Sequence, residues 1–83
     1  MPYIKKDRRY IFTQDTTEVF ASNAGELNYM VTRLVQAYLK HKGESYQTYN
    51  DIMGALEGAK LELYRRKIAP YEDTKIKENG DVW

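Results

Sequence analysis

Polar groups capable of chemistry gather in one place, Tyr64-Arg65-Arg66-Lys67, with Lys60 one helical turn before them. Arginine presents a planar fork that matches phosphate oxygens, and a neighbouring tyrosine can stack on a base or bond an oxygen. These residue types suit an anion such as a nucleotide phosphate, and make Lys60, Tyr64, Arg65 and Arg66 the ligand-binding candidates. The plainer alternative is a solvated helix end whose positive charge complements the macrodipole. Glu62 supports that alternative, because a carboxylate four residues before Arg66 can pair with it on one face.

Nothing else in the chain is equipped for catalysis. There is no cysteine, so thiolate nucleophiles, disulfides and sulfur metal ligands are all absent. Ser22 and Ser45, the only serines, stand at helix entrances, where capping explains them. The single histidine, His41, lies between Lys40 and Lys42 in a helix's last turn. A charge complementing the helix dipole explains it without catalysis or metal binding. Metal ligation needs carboxylates or imidazoles converging from several elements, whereas Glu57 and Glu62 fall on different faces. Gly54 and Gly58 lie inside a helical pattern, not in a loop between strand and helix, so no phosphate-cradling loop is present. The expectation is a protein that is not an enzyme, with no metal and no cofactor.

The two glycines point to packing instead. Glycine costs a helix interior about 0.5–1 kcal/mol relative to alanine. Gly54 and Gly58 are bordered by Ala55 and Ala59, which leaves one helix edge nearly bare. Close approach of another backbone, within the chain or across a symmetry axis, would offset that cost. A ligand lying on the bare edge is the other reading.

These residues ride on a proline-free stretch from Tyr49 to Ile68. Tyr49, Ile52, Leu56, Ala59 and Leu63 recur at spacings of three and four, which places them on one helical face. Met53, Leu61, Tyr64 and Ile68 form a second apolar line, so the helix is expected to be covered on two sides. Before it, Asn23 can cap a helix with Glu26 at the reciprocal position of a capping box. Leu27, Met30, Val31, Leu34 and Tyr38 then form one stripe, and Gly43 supplies a left-handed stop. The spacing predicts a helix over 23–42, a turn at Gly43-Glu44-Ser45 with Ser45 or Thr48 as the next cap, and a long helix over 46–68. Pro70 can end that helix, kink it, or open a further helix over 70–79. Val82-Trp83 reads as a terminal apolar hook. Residues 1–22 read as an irregular or weakly helical arm, with a short strand at Tyr10–Phe12 as the rival. The expected architecture is all-α: a single domain, residues 1–83, forming a small bundle built on a long αα-hairpin with short N- and C-terminal helices.

With 83 residues and 42% hydrophobic content, the chain can fold but can bury only a small core. Domains of this size without disulfides often complete their burial by self-association, so a homo-oligomer is the expected state. The eight tyrosines suit an interface that is part apolar and part wet. A net charge of +1 gives no field that would draw nucleic acid or an anionic membrane. No apolar run reaches the ~20 residues of a membrane span, and the N-terminus lacks a secretory h-region, so the cytoplasm is the expected address. Helix-turn-helix DNA binding through Gln47, Thr48 and Asn50 is the weaker alternative. Glu44 and Asp51 flank those residues, and the second helix is too long for that motif.

ELNY at 26–29, YNDI at 49–52, GALE at 54–57, KLELYRR at 60–66, APYED at 69–73, KIKENGDVW at 75–83 and MPYIK at the start resemble one small family. It is a domain of unknown function found in bacteria and their phages, and it implies no particular activity. The chain is also similar, in one helix, to the phage nucleotide sponges that defeat CBASS immunity. Those are small helical proteins that assemble as hexamers and hold cyclic nucleotides between subunits. Leu56, Leu63, Arg65, Ala69 and Pro70 match the leucine-rich run, arginine, small residue and proline that end their long helix. That resemblance implies Arg65 as a phosphate contact. The expected function is therefore non-enzymatic binding, in its sharpest form an anti-defence sponge for a cyclic nucleotide in a phage-infected bacterial cell. The alternative is an oligomeric structural or protein-interaction module with no small ligand.

Overall fold

The computed structural model describes residues 4–9 and 20–83. The fold is all-α: among these residues there are three helices, one helical turn at residues 6–9, and no strand. Helix α1 spans Ala24–Lys42 and helix α2 Tyr46–Leu63. A π-helical segment, Tyr64–Ile68, leads directly into helix α3, Ala69–Asn79. The helical run from Tyr46 to Asn79 is 34 residues long. The chain divides into two compact units, residues 3–52 and a second centred on residues 53–83. The expected arm and its rival strand lie largely outside the described residues, including all of Tyr10–Phe12.

In the first unit, local hydrogen bonding explains where the helices start and stop. Asn23 is extended, and its side-chain oxygen accepts from the Glu26 amide at 2.9 Å. Glu26 reaches back one residue beyond the usual capping-box position, to the Ser22 amide at 2.8 Å. Gly43 ends α1 with φ 80° and ψ 147°, and its amide donates to the Leu39 carbonyl. The positive φ is as expected, but ψ lies outside the left-handed helical well, in a region only glycine occupies readily. Ser45 is the cap of α2, accepting from the Thr48 amide at 3.1 Å. Thr48 donates its hydroxyl to the Gly43 carbonyl at 2.8 Å and is the one buried side chain among the described residues. The turn is therefore wound around Thr48, with Ser45 and Thr48 in separate roles.

In the second unit, Pro70 does not end the helical run; it stands in the first turn of α3, one of the three places the sequence allowed. A proline inside an α-helix lacks a donor and drives its ring into the carbonyl four residues back, here Arg66. The helix widens to the π form over Tyr64–Ile68, where the Ala69 amide bonds the Tyr64 carbonyl five residues back. That extra residue gives the Pro70 ring room, and the chain stays helical to Asn79. Gly80 then stops α3 in the geometry of Gly43, at φ 89° and ψ 144°.

The apolar stripes are present, but no apolar side chain is buried among the described residues. Leu27 and Leu34 on α1, and Met53, Leu61 and Leu63 on α2, are each more than half exposed. Val82 and Trp83, expected as a hook, are the most exposed large apolar side chains. No helix among the described residues is long and apolar enough to cross a membrane.

Candidate functional site

The four ligand-binding candidates do not converge on one open anion site; each reaches a carboxylate. Arg65 and Arg66 share Glu62, with Nη2 of Arg65 at 2.5 Å and Nε of Arg66 at 3.0 Å from the same oxygen, Oε1. The Glu62–Arg66 pairing is the one the i,i+4 spacing predicts. Glu62 is largely covered, whereas both guanidinium side chains remain about 60% exposed. Lys60 pairs with Glu57 at 3.5 Å. Such exposed pairs are weak in water, so an anion can compete with Glu62 for the arginines. Lys67 is the cation of the cluster with no ion-pair partner among the described residues.

Tyr64 separates from the arginines. Its hydroxyl donates to Oε1 of Glu72, eight residues on. Residues eight apart in a regular α-helix are about 80° apart around the axis. The additional residue in the π segment makes them behave like residues seven apart, within about 20° of one face. The hydrogen bond to Glu72, the charge of Glu72, slight burial and the charge of Asp73 together raise the Tyr64 pKa above its ordinary 10.0. The phenol stays a neutral donor throughout the physiological range.

Tyr64 thereby lines an open cleft of about 600 Å³ that sequence reasoning did not find. Ala69, Asp73 and Ile76 line it from the helix and Gly80 to Trp83 from the tail, all within the second unit. Its lining combines apolar groups with three carboxylates, Glu72, Asp73 and Asp81, and one cation, Lys75. An i,i+8 pair is not a helical neighbour spacing. Pro70 was the only hint in the sequence that the helix might gain a residue and bring the two together.

Gly54 and Gly58 lie within α2, as their spacing predicts. Among the described residues, a Cβ placed on Gly54 would meet nothing within 4 Å, so none of them accounts for that glycine. Among the described residues no group of histidines and carboxylates could hold a metal ion.

Comparison with known proteins gives a family and no activity. No curated protein and no solved structure matches the chain. The sequence model of one family, Domain of unknown function (DUF6899), matches residues 1–82, and the chain belongs to that family.

Proposed function

We propose that this is a non-enzymatic helical binding module of the bacterial cytoplasm whose working form is a homo-oligomer. The observation carrying this reading is the lack of any buried apolar side chain among the described residues, beside long stripes of exposed leucine, tyrosine and methionine. Helical proteins owe most of their stability to tertiary packing of an apolar face rather than to helix propensity. With caps, stops and ion pairs this well placed but no buried apolar side chain among the described residues, such helices can gain their burial from other subunits. The test is light-scattering mass across a concentration series, with thermal melts at each concentration. A mass above the monomer and a melting temperature rising with concentration are expected. A folded monomer at every concentration would sink the reading.

A second reading is sequestration of a nucleotide signal at the basic turn, the role of a phage anti-defence sponge. The π segment favours it, since such segments often mark functional sites and this one coincides with Tyr64–Ile68. The exposed guanidinium groups of Arg65 and Arg66 are the phosphate donors, with Lys60 beside them, while Tyr64, held by Glu72, lies apart from this turn. Calorimetric titration of the purified oligomer with a panel of cyclic nucleotides tests it. Saturable heat that Arg65→Ala abolishes is expected, and no heat with any member of the panel overturns it.

A further inference from the structure

We propose that the cleft on α3 is one half of a two-fold, antiparallel pairing between two copies of this chain, crossing at Ala69. The proposal rests on the oligomeric reading above and names its interface. Tyr64, Ala69 and Ile76 give one face of the helix an apolar stripe, established across the π turn by the Tyr64–Glu72 hydrogen bond. Ala69 is the small residue at the middle of that stripe, where two helices can approach closely.

Charge selects the occupant. From Lys60 to Lys67 the helix carries four cations and one anion, whereas Glu72 to Asp81 carries four anions and two cations. Parallel pairing in register sets each segment against its like. Antiparallel pairing about Ala69 lays the basic segment of each copy along the acidic segment of the other. In that register Arg65, four residues before the axis, opposes the partner's Asp73, four residues after it. Asp73 lines the cleft and has no ion-pair partner among the described residues. Arg65 is exposed and tied only to Glu62 on its own helix. Val82 and Trp83 line the cleft and are almost fully exposed, so a second helix seated in it would cover them.

The test is the dissociation constant of the full chain and its charge variants, from scattering or sedimentation. Arg65→Glu and Asp73→Arg are each expected to weaken association by at least about tenfold, and the double reversal to recover most of that loss. A wild-type monomer would defeat the oligomeric reading itself. An oligomer indifferent to both reversals, or a double variant no tighter than the singles, would overturn only this pairing. Because the chain has no cysteine, Glu57→Cys carries a single spin label at an exposed site. Antiparallel pairing about Ala69 expects a label separation on the order of 35 Å, set by the rise per residue. A separation of about 10 Å would show parallel helices and overturn the proposal.

Discussion

The hydroxyl of Tyr64 donates to the carboxylate of Glu72 across eight residues of one helix. The contact exists only because the helix gains a residue between them, over Tyr64–Ile68. It turns Tyr64 away from the arginines beside it in sequence and sets it in the lining of the cleft. The candidate site is thereby divided into two: an exposed basic turn paired with Glu62, and a cleft lined by apolar groups and carboxylates.

Two tyrosines should titrate late. Tyr64 is held by Glu72, and Tyr49 donates to Glu44 at 2.6 Å; both have their pKa raised above 10.0, the hydrogen bond being the largest cause in each. A raised folded-state pKa means that each contribution is fully present below pH 10.0 and is lost as pH rises through the folded value. Ultraviolet titration of phenolate should show a late fraction, which Tyr64→Phe reduces and Glu72→Gln shifts back toward 10.0. Unchanged curves in both variants would show that the bond is not formed in solution.

Pro70→Ala should let the π segment relax. With an amide at position 70 and no ring against the Arg66 carbonyl, regular i→i−4 bonding becomes available throughout. Tyr64 and Glu72 would then move to about 80° apart, and the late titration of Tyr64 would disappear while that of Tyr49 remained. Persistence of the Tyr64 shift would show that something other than the proline sustains the π turn.

The turn between α1 and α2 depends on two hydroxyls. Ser45→Ala removes the acceptor for the Thr48 amide and is expected to cost about 1 kcal/mol. Thr48→Val removes the buried donor to the Gly43 carbonyl, with an expected loss of about 1–2 kcal/mol. Urea unfolding at fixed protein concentration measures both, and equal stability for Thr48→Val would show that the hydroxyl is dispensable.

Gly54→Ala discriminates between seams. A Cβ there meets nothing among the described residues, so the helix should gain about 0.5–1 kcal/mol from propensity alone. With pairing centred on Ala69, association is expected to be unchanged. Loss of the oligomer in this variant would move the seam to the Gly54–Gly58 edge.

What the residues determine by themselves is local. The Asn23 cap, the stop at Gly43, the entrance at Ser45 and the Glu62–Arg66 pair each follow from groups within five residues of one another, so side-chain chemistry suffices to predict them. The apolar spacing likewise predicts helices and an all-α class. The helix through Pro70 was not legible, because its resolution depends on backbone bonding switching from four to five residues. That switch then decided which side chains share a face, bringing Tyr64 to Glu72 and forming the cleft with the tail. Three-dimensional structure also decided that, among the described residues, no side chain of the stripes expected to be covered is fully buried. Periodicity records which residues need burial, and only coordinates record whether a neighbour is there to provide it.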